Sequence, residues 1–528
     1  MMQPRRAFWI FAMVATLGVS CSTSSEDTSS TATSDDEELV SDADDVVDPA
    51  PATSTETTPT TTSSTSTTTT TVPEPARAVE INDAMGRGIN FGNALEAPRE
   101  GDWGIGLDAS YFEIVADAGF SHIRLPVSWA DYADIDSPYV IPEGDDPTID
   151  HADYTNIWER VDWAIDQAGL NGLIIIVNMH HYDAIHDDPL AERDRFLAMW
   201  TQVAERYSAA GDHVVFELLN EPHLTFDVEP ALWNDMAADA LAVVRQTNPE
   251  RPVLIGPVGY NAIDRLSDFE LPDDPNVIVT VHVYEPFPFT HQGATWVDPV
   301  PAVGARWIAA EPAFPLGVFN YSWDIEITPE GDDLEVEYQR QYAGFSLDYQ
   351  RGVALTEVSF RSSGKADLRI VCRLPEGAET EAATVTTTSE PGSYTFDLRA
   401  CSNESTGIFL QSTTNNPEPV TFESLVICSD RGCEEMIQTE SGAIDALLAT
   451  AAEWAESNDV PMHVGEFGAF GADGAAPLDD RAAWTRAVQE AATRRGMSFA
   501  YWEFHSGFGA WNPETGEWIE PLRAALLD

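Results

Sequence analysis

Lysine is almost missing from this chain. Lys365 is the only one in 528 residues, and lysine plus arginine number 27 against 89 aspartates and glutamates. The formal net charge of −62 repels polyphosphate and anionic lipid, which argues against nucleic acid or an anionic membrane surface as a partner. The acidity is not confined to a tail, since residues 1–78 hold only 12 of the acids and three arginines. Cysteine is scarce too, five in all, and none stands in a Cys-x-x-Cys pair, the spacing a thiolate zinc site uses. No glycine-rich phosphate turn follows the first apolar run, so a doubly wound nucleotide fold lacks its signature. Long apolar stretches are also absent. The longest, residues 7–19 (AFWIFAMVATLGV), is too short to span a bilayer.

That stretch has another reading. Arg5 and Arg6 precede it and Ser20-Cys21 follows at once, the layout of an export signal. Leu-Gly-Val-Ser-Cys matches the form of a bacterial lipoprotein box, with Gly18 where Leu is usual, and predicts lipidation at Cys21 as the sole membrane contact. The expected location is therefore outside the cell or on its surface. Residues 22–78 are Ser, Thr, Asp, Glu and Pro with few large apolar side chains. They bury too little surface to offset the entropy of ordering, which predicts a disordered linker.

From residue 79 short apolar runs alternate with amphipathic stretches. The runs are 86–93, 120–129, 172–180, 213–220, 252–258, 277–284, 461–467 and 498–504, and helical periodicity fills 153–169, 190–209, 231–248 and 481–495. Strands apolar on both faces alternating with helices predict a parallel sheet, and eight such units predict an α/β fold of the closed (β/α)₈ kind. The barrel is expected over 79–316 and 433–528. Residues 317–432, after the sixth run, are surplus to a barrel loop. They alternate like antiparallel strands (LEVEYQR, ALTEVSFRS, DLRIVCRL, SYTFDLRA, GIFLQST, VTFESLVIC), which predicts an inserted β-sandwich. Four cysteines lie at its strands and end: Cys372, Cys401, Cys428 and Cys433. An even number in an exported module suggests two disulfides with three possible pairings. Cys428–Cys433 closes a short turn, which leaves Cys372–Cys401 across neighbouring strands.

The apolar runs end in polar or aromatic residues: Asn93, Arg124, His180, Asn220-Glu221, Tyr284, Glu466 and Trp502. In a parallel barrel all strand C-termini open on one face, where such enzymes keep their chemistry. Glu221 ends the fourth run and Glu466 the seventh, so the two converge across the mouth. Paired carboxyls about 5–5.5 Å apart are what retaining glycoside hydrolysis needs, one as acid/base and one as nucleophile. Arg124 and Tyr284 are positioned to hold Glu466 ionised, Asn220 to meet a sugar 2-hydroxyl, His180 and His282 to bind hydroxyls or hold the glutamates, and Trp502 to stack on a pyranose. Zinc is the weaker reading for the histidines, because His180 and His181 are adjacent and no HExxH occurs. No metal or other cofactor is expected.

These segments resemble glycoside hydrolase family five, the large cellulase family. The resemblance rests on GRGINFGNALEAPREGDWG (86–104), IRLPVSW (123–129), NMHHYD (178–183), ELLNEPH (217–223), VHVYEPFPFTHQGATW (281–296), HVGEFGAF (463–470) and YWEFHSGFG (501–509). The family's eight recurrent site residues match Arg124, His180, Asn220, Glu221, His282, Tyr284, Glu466 and Trp502. The resemblance implies Glu221 as acid/base, Glu466 as nucleophile, and Trp103 and Trp296 as further stacking positions. It implies an endo-acting, monomeric enzyme on β-1,4-glucan polymer or oligomer, with mannan, mixed-linkage glucan or xyloglucan as alternative substrates, an exo-acting β-glucosidase as an alternative of the same family, and a non-catalytic glycan-binding lipoprotein as the weaker reading. The insert departs from the family pattern and resembles jelly-roll carbohydrate-binding modules, with Tyr321, Trp323, Tyr338 and Tyr342 as candidate platform residues.

Overall fold

The computed structural model describes residues 77–146, 154–308, 312–315, 318–330, 333–401, 404–415 and 418–528. The proposed export signal and nearly all of the linker lie outside these. The linker's last two residues do not: Arg77 and Ala78 begin a helix, Arg77–Met85. Ala78 is buried with Ile81 and Met85 against Ile176, Val215, Leu254 and Ile278. Apolar burial, not composition, decides where the folded part starts.

Eight parallel strands close into a barrel: β1 (Arg87–Asn90), β2 (His122–Leu125), β3 (Ile174–Asn178), β4 (Val214–Glu217), β5 (Val253–Ile255), β6 (Val277–Val283), β7 (Met462–Phe467) and β8 (Ser498–Tyr501). Each strand lies inside a run read from the sequence, and every run but the seventh overshoots its strand at the C-terminal end. The overshoot has a cause. Residues such as Asn220, Glu221 and Trp502 leave the ladder to turn into the mouth, so their apolar neighbours extend the pattern without extending the strand. Four fully buried tryptophans brace that rim from behind. The indole N–H of Trp129 donates to the carbonyl of Asn178, that of Trp200 to Leu218, that of Trp233 to Gly256 and that of Trp484 to Glu285. The ends of β3, β4, β5 and β6 are thereby tied to surrounding helices, and a buried indole that lacked such an acceptor would destabilise its site.

After β6 come two antiparallel sheets with a core of their own, including Phe345, Phe360, Ile370, Leu410 and Phe422. One sheet orders Glu379–Thr386, Asp367–Arg373, Ser405–Ser412, Gly344–Val353 and Val318–Asn320. The other orders Gly392–Asp397, Leu355–Ser363, Val420–Ser429, Asp333–Tyr338 and Ile325–Glu330, with Gly432–Glu435 on Val420–Ser429. Entry and exit are paired, Ala313 with Gln438 and Pro312 with Thr439, and the helix Glu440–Asn458 then leads back to β7. Both expected disulfides are present, Cys372–Cys401 and Cys428–Cys433. Cys372 lies on Asp367–Arg373, and Cys401 lies on the connection from Gly392–Asp397 of the other sheet into Ser405–Ser412, the strand paired with Asp367–Arg373, so the first bond ties that connection to the neighbouring strand.

The loops closed span 29 and 5 residues. By chain entropy the first stabilises by about 3.6 kcal/mol and the second by about 2 kcal/mol. We expect Cys372→Ser/Cys401→Ser to destabilise the insert by roughly 1.5 kcal/mol more than Cys428→Ser/Cys433→Ser. Chemical unfolding followed by hydrogen exchange in the insert measures this, and equal losses would contradict it.

One platform residue is corrected. Tyr338 is 2 % exposed and packs in the sandwich core, with its hydroxyl on the Leu410 carbonyl; its alternating register points it inward. Tyr321 and Tyr342 are exposed, and Trp323 lies over Gly344, edge-on to Phe409 at 5.2 Å.

Candidate active site

Arg124 organises the barrel mouth. It is fully buried, and every guanidinium N–H has an acceptor. Nε and Nη2 donate to the two oxygens of Glu217 at 2.6 and 2.8 Å. Nη1 donates to Glu466 at 2.7 Å and to Asn90 at 2.9 Å, and Nη2 also to Asn220 at 2.8 Å. A planar fork with five donors is what makes so many fixed contacts possible. Asn220 is oriented by this, because its Oδ1 is taken by the guanidinium.

Glu466 ends β7 and is buried. Besides Arg124, the Tyr284 hydroxyl donates to it at 2.9 Å, so both oxygens accept hydrogen bonds. Glu221 has a left-handed backbone, φ 50°, as the chain turns into the mouth, and 21 % of its side chain stays exposed. His282 Nδ1 lies within hydrogen-bond distance of its Oε1, at 2.7 Å, and 3.7 Å from Glu466. Ligand atoms of Glu221, His282 and Glu466 all lie within 4.8 Å of one another, so the two carboxyls are close neighbours. The same three groups are near enough to hold a divalent cation, but it would have to displace the bonds from His282, Arg124 and Tyr284.

Burial pushes the Glu221 carboxyl up to about 7. Burial also raises Glu466, while His282 and Arg124 pull it back. Because the Arg124 guanidinium bonds Glu466 directly and not Glu221, the proton shared by this pair belongs on Glu221. His282 is held neutral, pushed down to about 4 by burial.

The remaining expected residues are at the same mouth. His180 is buried, accepts from Asn178, and stacks parallel on Trp502 at 5.6 Å. Trp502 lies against Gly92, where any Cβ would collide with its ring. Trp103 and Trp296 are exposed rings, edge-on to His181 at 5.6 Å and to Phe470 at 4.9 Å.

Sequence reasoning missed Glu217, Glu96, Glu503 and Asn261. A charged residue inside the apolar run HVVFELLN needs a buried partner, which was a signal for Glu217. Glu96 accepts from the backbone N–H groups of Asn93 and Ala94, and the Asn93 amide donates to Glu503. Both acids are buried, and burial pushes Glu96 up to about 8 and Glu503 well above the carboxylate range. Their segments, NALEAP and YWEF, were noticed only as whole motifs.

Comparison with known proteins bears on the barrel as a whole. Residues 83–311 match the family description "Cellulase (glycosyl hydrolase family 5)". The chain is 36 % identical over 225 residues to endoglucanase H of Acetivibrio thermocellus, covering 42 % of this chain and 23 % of that protein. It is 30 % identical over 196 residues to cellodextrinase A of Ruminococcus flavefaciens, covering 35 % and 54 %. Thus the chain spans a quarter to about half the length of these relatives. Crystal structures of endoglucanase Cel5A from Thermotoga maritima are 27 % identical, cover 85 % of this chain and 99 % of that one, and superpose with a TM-score of 0.56; they include complexes with cellobiose and with mannotriose. Residues 83–311 of the barrel are thus similar to the cellulases of glycoside hydrolase family 5.

Proposed function

We propose that the protein is an exported endo-β-1,4-glucanase that cleaves with retention of anomeric configuration. The observation that carries this reading is the short separation of Glu221 and Glu466, within 4.8 Å oxygen to oxygen. An inverting site keeps its carboxyls about 6.5–9.5 Å apart to admit a water between them, and a retaining site about 5–5.5 Å. Glu466 attacks the anomeric carbon while Glu221 protonates the departing glycosidic oxygen. Glu221, now a carboxylate, takes a proton from the water that releases the sugar from Glu466. Asn220 offers its amide N–H to the sugar 2-hydroxyl, and Trp502, Trp103 and Trp296 supply stacking faces. The basic Arg5-Arg6 pair, the apolar run after it and Cys21 support export and a lipid anchor, and the sandwich with its exposed Tyr321 and Tyr342 is read as a glycan-holding module.

Two measurements test this. Purified protein on soluble β-1,4-glucan, mixed-linkage glucan, xyloglucan and β-mannan, with product sizing, gives the substrate; mannan is included because a similar structure holds mannotriose. NMR of the first-formed anomer gives the stereochemistry, and an α product from a β-glucan would end the double-displacement reading. We also expect kcat/KM to fall as pH rises through about 7. The sign follows from the role: Glu221 must carry a proton to act first as an acid, and it loses that proton above its raised pKa. A rate that holds constant from pH 6 to 9 would contradict the assignment.

A further inference from the structure

His282 has two ring nitrogens, and only one faces Glu221. The other, Nε2, lies 3.2 Å from Nδ2 of Asn261. Asn261 is fully buried and ends a turn in which Gly259, Tyr260 and Asn261 all have left-handed backbones, φ 73°, 66° and 58°. Three such residues in a row persist only where the surroundings over-determine them, and they cluster where a side chain must be aimed. The turn grips Glu221 from two sides. Tyr260 N–H donates to the Pro222 carbonyl, and its ring stacks at 4.3 Å on His223, whose Nδ1–H donates to the Glu221 carbonyl at 2.6 Å. The Asn261 amide passes close over Gly256, where a Cβ would stand 2.1 Å from Oδ1. That oxygen meets no donor among the described residues, and an orphan buried polar atom calls for a reason.

We propose that Asn261 is a positioning residue that fixes the tautomer of His282, and through it which oxygen of Glu221 carries the catalytic proton. The inference rests on the reading of Glu221 as acid/base. The reasoning is donor and acceptor accounting. An amide NH₂ aimed at Nε2 requires a lone pair there, so the ring proton sits on Nδ1 and is donated to Oε1 of Glu221. Oε1 is then an acceptor whether Glu221 is acid or carboxylate, and the acid's proton is confined to Oε2. With the other tautomer, Nδ1 would be an acceptor and would draw the carboxyl proton onto Oε1, toward the ring. The charged groups facing the imidazole are Glu466 from β7, Arg124 from β2, and Glu217 from β4 beside Glu221 itself; His180 and His463 face it from β3 and β7 as neutral rings, and Tyr284 follows on its own strand. Among the described residues none of these bonds Nε2, which leaves Asn261 as the group that sets it.

Asn261→Asp and Asn261→Gly test the assignment. Asp is nearly isosteric, and Gly accepts the left-handed backbone. A buried carboxylate at Nε2 favours the wrong tautomer or the imidazolium, and Gly removes the donor. Both should impair proton donation and leave nucleophilic attack intact. We expect Asn261→Asp to lose about 100-fold in kcat/KM on cellotetraose, whose leaving group needs protonation, and under about threefold on 2,4-dinitrophenyl cellobioside, whose leaving group does not. Asn261→Gly should show the same split at smaller amplitude. Equal losses on the two substrates in folded variants would overturn the proposal, since a merely structural role does not distinguish leaving groups. Glu221→Gln measured alongside separates the two levels. No leaving-group split in Glu221→Gln means the acid/base reading is wrong; a split there but none in Asn261→Asp means the tautomer assignment alone is wrong.

Discussion

Glu466→Ala loses turnover on soluble β-1,4-glucan by on the order of 10⁵-fold, the scale seen when a covalent nucleophile is deleted. Glu466 is the carboxylate with two fixed donors, Arg124 at 2.7 Å and Tyr284 at 2.9 Å. It is therefore the group held ready as an anion, and no neighbouring side chain can replace its bond to the anomeric carbon. Glu221→Ala also loses activity, but the loss depends on the leaving group, because only proton donation is gone. Azide makes the distinction visible. In Glu466→Ala it fills the emptied space and attacks an activated aryl β-cellobioside directly, giving the α-glycosyl azide. In Glu221→Ala the glycosyl-enzyme still forms on Glu466, and azide attacks it from the opposite face, giving the β-glycosyl azide. The anomer of the azide product, read by NMR, assigns the roles. The β anomer from Glu466→Ala and the α anomer from Glu221→Ala would mean the two residues are exchanged.

The barrel was legible because eight apolar runs had helices between most of them, and burial on both faces leaves a parallel strand no polar alternation to blur. The insert was less so. Gly344–Val353 and Glu379–Thr386 were not read as strands. ETEAATVT lies at an edge of its sheet with both faces at least partly exposed, so nothing in its hydrophobic pattern marks it. Gly344–Val353 is interrupted by a register shift between Asp348 and Val353, which breaks the two-residue period.

At the site, residues that end apolar runs were found and residues that hold them were not. Arg124, Glu221 and Glu466 each announce themselves as charges where a strand should be apolar. Asn261 does not, since its function comes from a left-handed turn that places one amide beside one imidazole, and no spacing in VGYN encodes that. Glu96 and Glu503 belong to different loops and become interpretable only when Asn93 is seen beside both. The seating of Cys372–Cys401 is of the same kind: a count of four allows three pairings, and the place of Cys401 on the connection between the sheets depends on topology.

Arg124→Met should be the most damaging single change outside the two glutamates, in stability as well as rate. Among the described residues the guanidinium is the only cation paired with Glu217, which is fully buried and takes two of its five bonds. Removing one partner of a buried pair leaves the other charge uncompensated, which costs about 3–5 kcal/mol. Glu466, raised by burial already, loses its nearest positive charge at the same moment. It then takes up a proton, and a protonated carboxyl is no nucleophile. The two effects separate in the double variant Arg124→Met/Glu217→Gln. A neutral amide in place of Glu217 removes the orphaned charge, so most of the lost unfolding free energy should return while activity stays low. Arg124→Lys should fare little better than Met in turnover, because one ammonium has three donors and cannot reach Glu217, Glu466, Asn90 and Asn220 together. Urea unfolding and kcat/KM on the same preparations decide the matter. A single variant as stable as the parent would show that Arg124 does not compensate the buried Glu217, and a double variant that regains turnover would show that Arg124 is not what keeps Glu466 ionised.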